Sequence, residues 1–171
     1  MKRRKMLASL PLFTILGACG STGKPQSDRE LKGMGMVIKY DLAPGAASKS
    51  GVEALTDAGN RLFGPSTLTH RNPGTSSMAS ANMSFPRRAR ITWRENTEPG
   101  KYWTTGTVVG DYTVEVLSRL PDELFSQVKA GPRRAIVLWF RLADDGVQFA
   151  WEIQVGGGQG GYQYIHHGGD F

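Results

Sequence analysis

The residue that most clearly points to chemistry in this 171-residue chain is its single cysteine, Cys19. It ends the run Leu16–Gly17–Ala18–Cys19, which follows four basic residues at positions 2–5 and an apolar stretch at 6–15. A bilayer span needs about 20 apolar residues, so this shorter stretch predicts a removable signal peptide. Small residues before a cysteine match the lipobox pattern, in which diacylglycerol alkylates the thiol and the chain is cut before it. The alternative is an ordinary secretory signal with an incidental cysteine.

These features predict three segments along the chain. Residues 1–18 are the lipoprotein signal peptide, and 19–33 are a lipidated tether, because a small, polar and charged composition buries too little apolar area to fold. Residues 34–171 form a single domain. Gly20 follows the cysteine where an aspartate would signal inner-membrane retention, so we expect a lipid anchor in the outer membrane that faces the periplasm.

Charge and cysteine count exclude several function classes. The signal contains four of the 21 basic residues and none of the 15 acidic ones, so cleavage lowers the formal net charge from +6 to +2. A nucleic-acid partner is therefore not expected. A lipidated Cys19 leaves no thiol for a disulfide, a metal or a nucleophile. The chain also has no G-x-S-x-G elbow, and we expect a protein without catalysis or cofactors.

Two other groups of residues could bind a ligand. Gly156–Gly161 formally satisfies G-x-G-x-x-G, but the extended pattern after it favours a hairpin over a phosphate site. His166, His167 and Asp170 lie near one another in sequence, and His70 lies in a separate polar segment. Adjacent histidines on a strand point to opposite faces, so we expect no metal site there. Paired carboxylates at 122–123 and 144–145 fit a helix start and a hairpin turn.

The most suggestive surface is a set of arginines on one predicted strand. Arg88, Arg90 and Arg94 alternate with Ala89, Ile91 and Trp93 and share one face. Further arginines stand at positions 87, 133 and 134. Rows of arginine also occur on solvent-exposed sheet faces and at sheet edges, where the charges prevent pairing with another chain. We retain Arg88, Arg90 and Arg94 as the candidate partner-binding site, because guanidinium pairs bidentately with carboxylate or phosphate.

The elements that must position these residues follow from hydrophobic periodicity and turn chemistry. A capping box at Ser50–Glu53 predicts a helix over 51–63, and Pro121 with acidic residues after it predicts a second helix of about ten residues. We expect a long mobile loop over 65–82, which is rich in Ser, Thr, Asn, Pro and Gly. Alternating or continuous apolar patterns predict strands at 34–42, 88–94, 102–109, 111–117, 134–142, 147–155 and 162–166.

Together these elements predict an α+β domain with a mainly antiparallel sheet of five to seven strands and two helices. Trp93 and Trp151 are expected in its core, since each lies on the apolar face of an alternating strand.

Three segments resemble a group of small proteobacterial lipoproteins of unknown function. These are FPRRARITWRE (85–95), YTVEVLSRLPDELF (112–125) and VLWFRLADDGVQFAWEI (137–153), which cover roughly the last half of the mature chain. Similar lipoproteins are encoded beside lipase effectors of type VI secretion, and some act as immunity proteins that block the toxin in the periplasm. The resemblance implies a fold and a location, but its framework motifs transfer no functional residue.

Two functions are expected from these observations. The first is a periplasm-facing binding lipoprotein, most concretely an immunity protein that blocks a secreted antibacterial phospholipase. The second is an envelope structural or assembly lipoprotein with no toxin partner.

Overall fold

A computed structural model describes residues 35–78, 83–101, 105–157 and 161–171 of the protein. Its elements are listed in chain order: β1 Gly35–Leu42, β2 Lys49–Thr56, β3 Arg61–Leu68, β4 Gly74–Met78, β5 Arg88–Glu95, β6 Thr107–Glu115, α1 Asp122–Lys129, β7 Arg134–Leu142, β8 Val147–Gly156 and β9 Tyr162–Gly169. The signal peptide, Cys19 and the expected tether lie outside the described residues, as do 79–82 and 102–104.

The strands form two sheets. One has five strands in the order β4-β1-β7-β8-β9, and the other has four in the order β3-β2-β5-β6. All strand pairs are antiparallel except β1 with β7, which run parallel. The α+β class and the mainly antiparallel pairing are confirmed, whereas the expectation of five to seven strands is wrong, because the described residues contain nine.

The inward faces of both sheets meet in one apolar core. Strand β1 alternates strictly between half-buried and buried residues, and its buried side contains Met36, Ile38, Tyr40 and Leu42. Ala89, Ile91 and Trp93 of β5 belong to the same core from the other sheet. Helix α1 contributes the apolar face that the sequence predicts. The outward faces of the two sheets consequently lie on opposite sides of the domain.

The predicted helix over 51–63 is wrong, because β2 and β3 occupy this segment as a hairpin. The turn Asp57–Asn60 divides it: Thr56 N–H donates to the Asn60 carbonyl at 2.8 Å, and Gly59 adopts φ +76°. Glu53, expected in a capping box, instead lies 2.8 Å from the Arg61 guanidinium across the hairpin. Within the described residues α1 is the one α-helix, preceded by a 3-10 turn at Leu117–Arg119.

The loop expected over 65–82 is also wrong over most of its described residues, 65–78. Strand β3 continues to Leu68, and β4 pairs antiparallel with β1 from Gly74 to Met78. No described residue of β4 is buried, so backbone hydrogen bonds rather than a buried face hold it in the sheet. Hydrophobic periodicity has no signal for such an edge strand.

The remaining strand predictions largely agree with the structure. Strands β1, β5, β7 and β8 start and end within one residue of their predicted limits. Two strands are expected at 102–109 and 111–117, of which residues 102–104 lie outside the described residues; the rest contains a single strand, β6, from Thr107 to Glu115, with a bulge where it pairs with Trp93 and Arg94. Trp93 is buried as predicted, but Trp151 is only half-buried and packs against the margin of the core.

Candidate functional site

The arginine row of β5 points outward from the four-stranded sheet. Ala89, Ile91 and Trp93 are buried, so the alternating pleat directs Arg88, Arg90 and Arg94 to the opposite face. Arg88 and Arg90 are exposed and Arg94 is half-buried, and the three share one strand face as predicted. Arg87 lies just before the strand, and its backbone N–H donates to Asp57 Oδ1 at 3.0 Å.

Each guanidinium of this row has a partner on β6 or in the turn that precedes it. Arg90 donates from Nε and Nη2 to the two carboxylate oxygens of Asp111, at 2.7 and 2.5 Å. Arg88 Nε lies 3.4 Å from Glu115 Oε1, and Arg94 Nη1 donates to the Gly106 carbonyl at 3.0 Å. The hydrogen bond from Arg90 holds the pKa of Asp111 below its usual range, and that carboxylate raises the pKa of Arg90.

These pairs change the electrostatics that the sequence suggests for the row. The like charges of β5 alternate across the sheet with the carboxylates of β6, so their mutual repulsion is compensated. Exposed pairs of this kind add little to stability. These contacts do restrict the conformations of the arginine side chains. Binding a partner then costs less side-chain entropy than it would if the arginines were unrestrained.

A second surface lies on the outward face of the five-stranded sheet. A groove of about 700 Å³ crosses one end of all five strands. Its floor contains Val37, Ala135 and Val137, and its two rims are formed by Met78 of β4 and by Tyr162 with Tyr164 of β9. We define this surface as the sheet-end groove. None of its described lining residues is Asp or Glu, whereas Lys39, Arg133 and Arg134 all line it.

Beside the groove, the same face has a cluster of cations and aromatic rings. Lys39 Nζ lies 3.3 Å from the centroid of the Trp139 ring, and the Arg141 guanidinium lies 3.8 Å from that of Phe171. Asp41 accepts hydrogen bonds from Arg141 at 3.0 to 3.3 Å. This pair is shielded from solvent and leaves Lys39 as the cation of the cluster nearest the groove.

Sequence reasoning missed the sheet-end groove. Tyr162 and Tyr164 stand two residues apart and therefore share a strand face, which is a usable signal once β9 is known to be a strand. Met78 and Lys39 have no such signal, because the pairing of β4 with β1 that brings them together is not encoded in local pattern.

The histidines and Asp170 do not form a metal site. His166 pairs in register with Ile153 and His167 with Glu152, so the two side chains project to opposite faces, as the sequence predicts. Asp170 is held elsewhere by the Arg119 guanidinium and by the Phe149 N–H, at 2.8 Å. Burial raises the pKa of Asp170, but these two donors outweigh it and lower the pKa overall. No group of three metal-ligating side chains occurs in the described ranges.

The other candidate residues have structural contacts. Asp144, in the turn between β7 and β8, is bound by the Lys49 ammonium and by the Ala47 N–H, at 3.0 Å. These bonds lower the pKa of Asp144. Asp122 and Glu123 lie in the first turn of α1. The glycine-rich segment connects the antiparallel strands β8 and β9, although residues 158–160 are outside the described ranges.

Comparison with protein-family models, with curated proteins and with solved structures finds no match to this chain. The lipoprotein resemblance drawn from the sequence stays a prediction. Among the described helices, none has the length and apolar character that a membrane crossing requires.

Proposed function

We propose that the protein is a non-catalytic lipoprotein, anchored through Cys19 to the bacterial envelope, that binds and blocks a secreted antibacterial phospholipase. The lipobox at Leu16–Cys19 supports the anchor, and the resemblance of the last half of the chain supports the immunity role. An anchored inhibitor is held at the membrane, which is where a phospholipase acts. The anchor holds the domain in the periplasm, where it meets a secreted toxin.

The observation that carries a binding role is the arginine row of β5. Three guanidinium groups stand on one outward strand face, and contacts with β6 or with the turn before it restrict each of them. Their compensation by Asp111 and Glu115 leaves an alternating pattern of charge rather than a positive patch. Such a pattern gives little long-range attraction. It favours instead one partner with complementary charges, bound in one position along the strand.

The most discriminating test swaps the two residues of one ion pair and so keeps the pair. Arg90→Asp combined with Asp111→Arg keeps an ion pair between β5 and β6 but reverses its polarity toward a partner. We expect the doubly exchanged protein to unfold at the same urea concentration as wild type and to bind the phospholipase encoded by a neighbouring gene at least tenfold more weakly. Equal affinity of both proteins would exclude the arginine row as the binding site.

The alternative is an envelope structural or assembly lipoprotein. The two functions differ in gene neighbourhood: an adjacent lipase or secretion-spike gene favours immunity, and a setting among envelope-assembly genes favours the alternative. Purification of this protein and identification of the proteins that copurify then distinguish the two functions. An immunity protein should copurify with a lipase, and an assembly protein should copurify with envelope components.

A further inference from the structure

The sheet-end groove combines three kinds of side chain that interact with lipid surfaces: an apolar methionine, tyrosines and cations. Its rims expose Met78, Tyr162 and Tyr164, whose exposed fractions are 77, 65 and 54%. The two rims stand four strand spacings apart, about 19 Å. Tyrosine suits the boundary between water and hydrocarbon, because its ring is apolar and its hydroxyl is hydrogen-bonded by water or headgroups.

The charge of the groove has one sign. Lys39 and Arg133 have no ion pair with another described residue, and Arg134 donates to the Gln127 carbonyl at 2.6 Å rather than to a carboxylate. No carboxylate occurs among the described lining residues. The groove therefore differs from the arginine row, in which carboxylates compensate Arg88 and Arg90, and its cations complement an anionic surface.

The chain enters the five-stranded sheet at the end that contains the groove. Strand β1 begins at Gly35, which itself lines the groove. Cys19 precedes Gly35 by sixteen residues, and a chain of that length spans at most about 55 Å. The chain that follows a lipidated Cys19 therefore enters the domain at the end that contains the cations and aromatic rings of the groove. This step rests on the lipidation in the proposed function.

We propose that the sheet-end groove docks on the anionic phospholipid headgroups of the membrane that holds the anchor. Lys39, Arg133 and Arg134 lie against phosphate groups, and the rim side chains of Met78, Tyr162 and Tyr164 enter the headgroup region. Docking orients the domain. Because the arginine row lies on the opposite sheet, it then faces away from the bilayer and toward a partner.

The test uses the whole mature chain, residues 19–171, with Cys19→Ser so that no lipid is attached. Its cosedimentation is measured with vesicles of phosphatidylglycerol and phosphatidylethanolamine and with vesicles of phosphatidylcholine alone. We expect binding to the anionic vesicles only, and its loss in high salt. Each cation near an anionic surface contributes about a fivefold factor, so Lys39→Gln with Arg133→Gln should weaken partitioning roughly 25-fold.

The matched control is Arg88→Gln with Arg90→Gln, which removes two cations from the opposite face. We expect this variant to bind the anionic vesicles as the parent chain does, and circular dichroism verifies that both variants are folded. Equal weakening by the two pairs, or equal binding to neutral and anionic vesicles, would overturn the proposal. The assay contains neither a lipid anchor nor a phospholipase, so its failure is distinct from failure of the immunity function.

Discussion

The packing of Trp93 on Gly110 gives the structure its most exacting test. Gly110 lies opposite Trp93 in the β5–β6 pairing, and a Cβ added at Gly110 would lie only 2.0 Å from Trp93 Cε2. Trp93 is buried and stacks on Tyr112 with ring centroids 5.1 Å apart. Gly110 is not among the glycines with positive φ, so its backbone accepts alanine, and the three atoms nearest to the added Cβ all belong to the indole of Trp93.

Gly110→Ala should therefore destabilise the domain by displacing Trp93. Overpacking of this kind costs about 1 to 3 kcal/mol. For a domain of this size the cost corresponds to a fall in Tm of roughly 3 to 10 °C. Urea unfolding followed by far-ultraviolet circular dichroism measures the free energy without relying on tryptophan fluorescence.

A double-mutant cycle isolates the cause. Trp93→Leu keeps an apolar side chain but removes the ring atoms that cover Gly110. In that background, Gly110→Ala should be neutral or stabilising by up to about 1 kcal/mol, because alanine loses less backbone entropy than glycine. The interaction free energy should then be about 1 to 4 kcal/mol.

Gly146→Ala is the matched control, since an added Cβ there meets no atom within 4 Å. It should change stability little. If the effects of Gly110→Ala and Trp93→Leu add within about 0.5 kcal/mol, the packing of the indole on the glycine, and with it the register of β5 and β6, is wrong.

Three further outcomes are expected. Cys19→Ser should abolish palmitate labelling and membrane fractionation, and unchanged labelling would contradict lipidation. Because Lys49 lowers the pKa of Asp144, the carboxylate stabilises the fold above its unfolded pKa of about 3.9 and loses this contribution as the pH falls through the lower folded pKa. Asp144→Asn should thus be less stable than wild type at pH 7, with the difference shrinking below about pH 4, and an Asp145→Asn control should not reproduce that trend in acid-unfolding curves. Deletion of Phe171, which packs edge-on against Trp139, should increase quenching of tryptophan fluorescence by acrylamide, and unchanged quenching would contradict this contact.

Local pattern predicted the strands that contribute a buried face. Strands β7 and β8 follow directly from apolar runs and from the turn between them, and α1 follows from Pro121 and its acidic first turn. The helix predicted over 51–63 is wrong, because Ser50 and Glu53 fit a capping box but the turn at Asp57–Asn60 divides the segment into two strands. Turn chemistry there outweighs the approximate helical spacing.

Nonlocal pairing accounts for what the sequence could not show. The arginine row was predictable because it needs only one strand, but its compensation by Asp111 and Glu115 depends on the register of β6. The sheet-end groove needs β4 beside β1 as well as the β8–β9 hairpin, and the pairing of β4 with β1 joins segments far apart in sequence.

The most direct measurement of the central claim is survival of bacteria that export to their own periplasm a phospholipase whose gene neighbours that of this protein. Coexpression of the lipidated chain should restore growth, and the exchanged variant Arg90→Asp with Asp111→Arg should fail to do so at equal abundance in the membrane fraction. Undiminished killing in the presence of abundant, membrane-anchored wild-type protein would contradict the account.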